Sequence, residues 1–173
     1  ARIFNAAVAQ KVSTSELLES ADSVTFCLSK GLCAPVGSVL CGSEEFIHRA
    51  RRIRKLLGGG MRQAGVIAAA GIVALEKMVE RLAADHQRAT VLAEGLADIP
   101  GVVLTKGSPN TNMVFFRLDQ ALGVSHLELI QAMEERNVLI NDTNDGEIRL
   151  VTHYDVGDEA IEACLQSVRA ILT

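Results

Sequence analysis

The apolar positions of this chain come first as short runs and later as helical and alternating patterns. Val24 to Leu28 is a β-branched and aromatic run, and Val36 to Leu40 is a second, with Gly31, Pro35 and Gly37 punctuating the ground between them. Runs of this kind bounded by turn residues predict two buried strands joined by a tight connection. Ahead of them, Thr14 to Ser20 reads as a helix opened by a Ser/Thr cluster. Behind them, Ser43 opens a helix to about Leu57. Its acids lie in the first turn and Arg51, Arg52, Arg54 and Lys55 towards its end, the polarity a helix dipole favours. Gly58, Gly59 and Gly60 break it.

A long helical segment follows from about Arg62 to Leu96, with an interruption expected near Asp85. It contains the longest apolar series, Ala64 to Leu75, which falls short of the roughly 20 residues of a membrane crossing and is rich in Ala and Gly. A buried helix is expected there. Ile99 to Val102, with Pro100 and Gly101 inside, marks a turn into new structure. Strands are then expected at Val102 to Thr105, Met113 to Leu118, Val138 to Asn141 and Glu147 to His153, with helices at Ser125 to Arg136 and Asp158 to Leu172. This is a compact α+β unit with its own core, and the natural boundary before it lies near residues 96–101.

Composition narrows the function classes. With 49% hydrophobic and 22% charged residues the chain suits a packed soluble protein. A net charge of −4 and 3% aromatic residues give no support for binding nucleic acid or a membrane surface. The four cysteines form no Cys-x-x-Cys pair, which fits a reduced, cytoplasmic chain. Cys33, Cys41 and His48 match no metal-ligand spacing, so no metal is expected. No secretory segment opens the chain, and it begins with Ala1.

Lys30 is the residue with the most chemistry. It follows an apolar run and precedes Gly31, so it is expected on a tight connection at a strand end. A lysine among apolar neighbours is poorly solvated as an ammonium, so more of it stands as the neutral amine that attacks a carbonyl carbon. Ser29 adds a hydroxyl beside it, and Gly31 lets backbone or a ligand approach closely. On spacing alone, a surface lysine in a glycine turn is the commoner reading of Ser-Lys-Gly. Arg149 sits where alternation puts Ile148 and Leu150 on one face and the arginine on the other. Its planar guanidinium suits a carboxylate, although a strand-edge arginine paired with a surface acid is the commoner case.

Three segments together carry a resemblance: Val24 to Gly42, Arg51 to Gly65, and Ile148 to Val156. In that order they resemble the low-specificity L-threonine aldolases, pyridoxal phosphate lyases of the aspartate aminotransferase superfamily. The opening Ala1 to Ala7 is similar to the tail of that family's Asp-Gly-Ala-Arg motif, whose Asp-Gly would come just before residue 1. The resemblance implies an α/β fold: the C-terminal part of a fold type I large cofactor domain over residues 1–97, then a small α+β domain over 98–173. Family proteins are about twice as long, so the chain is expected to be a C-terminal portion, poorly active alone.

By the same resemblance Lys30 would hold pyridoxal phosphate as a Schiff base and remain beside Cα as a proton-transfer group. Arg149 and Arg2 would bind the substrate α-carboxylate. Arg62 and Lys55 would serve the cofactor phosphate or an adjoining subunit's site, beside a glycine-rich backbone that can itself bind anions. For Lys55, a solvated helix end is an equal reading. The implied reaction cleaves L-threonine and L-allo-threonine to glycine and acetaldehyde in a homotetramer, with histidine or water as the base and the favoured histidines expected in the absent half. A related β-eliminating lyase and a non-catalytic truncated subunit are the alternatives. His153 and Asn112 are read as structural, and His48, His86 and His126 as polar helix positions.

Overall fold

The computed structural model describes residues 1–105, 107–143 and 145–173. They form two compact units, Ala1–Leu82 and Ala83–Thr173.

The first unit opens with α1 (Ile3–Gln10) and the single turn α2 (Thr14–Leu17). Ser13 caps α2 with a reciprocal box, its hydroxyl accepting from the Glu16 amide while the Glu16 carboxylate accepts from the Ser13 amide. Strands β1 (Ser23–Cys27) and β2 (Ser38–Gly42) pair antiparallel, Phe26 opposite Val39. Helix α3 (Glu44–Leu56) starts at Ser43, whose hydroxyl accepts from the Phe46 amide, and carries Glu44 and Glu45 at its first turn and Arg54 and Lys55 at its last. Helix α4 spans Gly65–Lys77. Phe26, Leu28, Leu32, Ala34, Ala74 and Leu82 make the core, with Phe4 meeting Phe26 edge to face at 5.2 Å between ring centroids.

Two expectations about burial fail in this unit. Strand β2 is largely exposed, because a two-stranded sheet has only one face to set against the core. Helix α4 is exposed as well: Val66 is 83% accessible and Ile72 56%. Only its Gly71–Ala74 stripe is buried, packed so closely that a Cβ on Gly71 would lie 2.8 Å from Leu28 Cδ1. No helix of the described residues is long and apolar enough to cross a membrane.

The helical segment breaks at Met78 to Arg81, ahead of the expected Asp85, and α5 runs Leu82–Ala97. The compact units therefore divide earlier than residues 96–101. The reason is packing: Ala89, Leu92, Ala93 and Leu96 of α5 belong to the core of the second unit. That unit continues with β3 (Val102–Leu104), β4 (Met113–Leu118), a short 3₁₀ turn (Gln120–Leu122), α6 (His126–Glu134), β5 (Asn141–Asp142), β6 (Ile148–Val151) and α7 (Asp158–Leu172). Its antiparallel sheet has the order β3-β4-β6-β5. Val114, Phe116, Ile148 and Leu150 point into a core shared with Leu129 and Met133 of α6 and Ile161, Leu165 and Val168 of α7. Strand β5 is shorter than expected, since Val138 to Ile140 pairs with no strand.

Candidate active site

Lys30 lies on the connection between β1 and β2. The Leu28 amide donates to the Gly37 carbonyl at 2.9 Å and the Ala34 amide to the Leu28 carbonyl at 3.0 Å, closing the base of the loop. At its tip the Cys33 amide donates to the Lys30 carbonyl at 2.9 Å, with Cys33 held at a φ of 59°. Leu28, Gly31, Leu32 and Ala34 are buried while Ser29, Lys30 and Cys33 are exposed. The loop is thus anchored by its apolar members and presents its lysine outward. Enclosure of the Lys30 amine by apolar neighbours, expected from the sequence, is not found within these residues, because those neighbours turn into the core.

The start of the chain is brought to the same place. The Cys27 amide donates to the Ala1 carbonyl at 3.4 Å, which sets Arg2, the residue preceding α1, against the strand that leads to Lys30. Lys55 and Arg62 lie apart from this loop in the bonding pattern: among the described residues no hydrogen bond or ion pair joins them to it. Lys55 folds over the glycine break, so that a Cβ on Gly60 would sit 3.0 Å from Lys55 Nζ. Arg62 is exposed, and α4 begins three residues after it with no side-chain cap on its first amides. A helix start without a side-chain cap, three residues after an exposed arginine, suits an anion. His48, Arg51, Arg52, Lys55 and Leu56 also line a shallow hollow of about 450 Å³.

Arg149 is the predicted residue of the second unit. It stands on β6 between the buried Ile148 and Leu150, so the alternation read from the sequence holds. Its register partners on the outer face are Phe115 of β4 and Asn141 of β5. The strand is interior, and among the described residues Arg149 forms no ion pair, so it is not the acid-paired edge arginine of the commoner case. A cavity of about 470 Å³ opens beside it, lined among others by Arg136, Asn137, Asn141 and His153. An unspent guanidinium flanked by a ring and an amide is a ready partner for a carboxylate.

The end of β6 is fixed by a buried polar knot that sequence reading identified only in part. Thr152 donates its hydroxyl to the Asp85 carbonyl at 2.6 Å, and Asn112 Nδ2 donates to the Thr152 carbonyl at 2.6 Å. Asn112, Thr152 and Asp85 are all at most 1% exposed. Asn112 is therefore a packing amide. His153 Nδ1 accepts from the Asp155 amide at 3.3 Å, a structural contact. His126 lies 3.6 Å from Asp142, and desolvation holds the half-buried His86 below its ordinary range against the opposing pull of Asp85. Asn5 was missed altogether: it is 3% exposed in α1 and packs on Gly31. The available signal was a lone amide in an otherwise apolar helix. Among the described residues no group of three or more His, Cys, Asp or Glu side chains converges as a metal site would require.

Comparison with known proteins identifies relatives of the chain. The sequence model of the beta-eliminating lyase family matches residues 1–119. The low specificity L-threonine aldolase of Escherichia coli K12 is 45% identical over 172 residues, covering 99% of this chain and 49% of that protein. The chain spans about half the length of the curated relatives it matches. Among solved structures, a candidate L-allo-threonine aldolase from Listeria monocytogenes superposes with a TM-score of 0.78 at 18% identity, over 98% of this chain and 50% of that one. A mutant of C-DES, solved with glycine covalently linked to its pyridoxal phosphate cofactor, superposes with a TM-score of 0.51 at 25% identity, over 64% of this chain and 31% of that one. The mixed α/β architecture is that of the fold type I pyridoxal phosphate enzymes, as the resemblance implied.

Proposed function

The chain belongs to the beta-eliminating lyase family, and from that premise we propose that it supplies the cofactor lysine and a carboxylate-binding arginine to a pyridoxal phosphate-dependent aldolase. The substrates are L-threonine and L-allo-threonine, cleaved to glycine and acetaldehyde. The observation that carries the reading is Lys30: an exposed amine with no ionic partner among the described residues, on a loop held by backbone bonds at both base and tip.

The residues present fit the cofactor. Lys30 offers the amine that bonds its aldehyde carbon. Lys55, Arg62 and the open start of α4 offer cations and amides for its phosphate. Bound there, pyridoxal phosphate supplies the sink for the electron pair released when the substrate Cα–Cβ bond breaks. Arg149, with Arg2 as a second candidate, binds the α-carboxylate and so fixes which bond at Cα stands ready to break. Lys30 would also stand beside Cα, where its amine could deliver the proton that completes glycine. Residues 1–97 and 98–173 are the corresponding parts of the large and small domains, with α5 packing on the latter.

The likeness to an aldolase over 99% of the chain supports carbon–carbon cleavage. The family's own description keeps a second reading in view, elimination across Cα and Cβ. Product analysis separates them: acetaldehyde and glycine from L-threonine support the aldolase, whereas pyruvate and ammonia from serine or cysteine support elimination. Neither product, with no change on replacing Lys30, identifies a non-catalytic subunit. The four free cysteines support a reducing, cytoplasmic setting. The exposed apolar residues of α4 support burial against further protein, as in a homotetramer.

A further inference from the structure

Asn5 is the one buried polar residue of the first unit among those described, at 3% exposed, and it lies on the helix that follows Arg2. Its side-chain amide covers the residue next to Lys30: a Cβ built on Gly31 would meet Asn5 Oδ1 at 2.9 Å and Asn5 Nδ2 at 3.5 Å. Leu82 Cδ2 closes the same spot from another side, at 3.0 Å. Gly31 is buried while Lys30 is exposed, so the chain passes from inside to outside between two adjacent residues at this contact. A buried amide is set in place by its hydrogen bonds and does not drift as an aliphatic side chain does. Apolar packing alone would hold Leu28, Leu32 and Ala34 in the core without fixing the direction in which Lys30 leaves it.

We propose that Asn5 is a positioning residue for Lys30: its buried amide clamps Gly31 and thereby sets the direction of the lysine amine. The inference rests on the reading of Lys30 as the cofactor lysine. Gly31 is required because any side chain would displace the clamp, and Asn5 is required because an alanine would leave the loop free to tilt.

The test uses the whole chain with pyridoxal phosphate as probe, trapped on lysines by borohydride and mapped by peptide mass spectrometry. Exposed Lys77 serves as the internal control. Asn5→Ala is expected to lower the rate of labelling at Lys30 relative to Lys77 by about 10-fold or more. Hydrogen exchange at the Cys33 amide, which bonds to the Lys30 carbonyl, should quicken while that of α3 stays unchanged. Gly31→Ala should show the same loss, and adding Asn5→Ser should restore part of it by removing one of the two obstructing contacts. Asn5→Ser also stands in should the alanine variant fail to fold. An unchanged Lys30 to Lys77 ratio with unchanged Cys33 exchange overturns the proposal. A parent protein that labels Lys30 no faster than Lys77 refutes the cofactor reading instead, and Cys33 exchange then decides for Asn5 by itself.

Discussion

Thr152→Val should loosen the strand that carries Arg149, and the size of the effect follows from three contacts. The Thr152 hydroxyl donates to the Asp85 carbonyl at 2.6 Å and lies 3.4 Å from the Asn112 carbonyl, while the Thr152 amide donates to Asn112 O at 3.0 Å. Valine keeps the backbone bond and much of the shape but loses the hydroxyl. A net hydrogen bond is worth about 1 kcal/mol, and an acceptor left poorer in a site 1% exposed adds up to about 1 more. The extra buried methyl returns somewhat less than 1 kcal/mol. A loss of about 0.5–1 kcal/mol remains, which lowers Tm by roughly 2–8 °C for a unit of this size. The assay is thermal unfolding followed by tyrosine emission, because the sequence has one tyrosine and no tryptophan, and Tyr154 stands two residues beyond the substitution. Asn112→Ala, which removes the donor to the Thr152 carbonyl, should cost about 2–3 kcal/mol in the same assay. A valine variant that melts with the parent would refute the claim that this knot, beyond apolar packing, secures the end of β6.

Further outcomes follow from other contacts. On the proposed function, Arg149→Lys should lower kcat/KM for L-threonine by about 10–100-fold, since an ammonium cannot reproduce bidentate binding; an effect under about 2-fold would remove Arg149 from the carboxylate site. Ser125→Ala, deleting the hydroxyl that accepts from the Glu128 amide at 3.2 Å, should destabilise the second unit by about 1 kcal/mol in urea titration. The Ser125 backbone amide, then its hydroxyl, hold the Glu128 carboxyl below its usual range, so this stabilisation is present above pH 4.5 and is lost as pH falls through the lowered value. Ser125→Ala should flatten that acid limb. Burial pushes the Cys164 thiol up to about 11, so iodoacetamide at pH 8 should alkylate exposed Cys33 at least about 100-fold faster. The same shift makes the fold lose stability as pH rises from 9 towards 11, because the unfolded thiol ionises first.

The parts of the fold that could be read from the sequence are those with local signals. Ser43 before two glutamates announced α3 because a cap acts over a single turn, and the apolar pattern from Ser125 to Arg136 announced α6. Alternation around Arg149 placed it correctly on the outer face of β6. Helix α1 was missed because its cap position is Arg2, which makes no side-chain cap bond, and it is apolar all round apart from Asn5 and Gln10. The break after α4 fell at Met78 because Asp85, which looked like a polar interruption, is wholly buried within α5. Apolar content alone could not tell that α4 would be exposed, since burial depends on what surrounds a helix. Lys30 was singled out by its apolar run and glycine, and its assignment to the cofactor came from the resemblance. Asn5 was not singled out, because the role proposed for it lies in a contact with a residue 26 positions away in sequence that only the folded chain reveals.

The central claim is that Lys30 is the lysine that bonds pyridoxal phosphate. It is tested most directly by loading the protein with the cofactor, reducing with borohydride and locating the stable pyridoxyl label by mass spectrometry, in parallel with Lys30→Ala. The account predicts a label concentrated on Lys30, with the visible absorbance of the bound cofactor abolished by Lys30→Ala. A label spread evenly over the exposed lysines, or absorbance that survives the substitution, would contradict it.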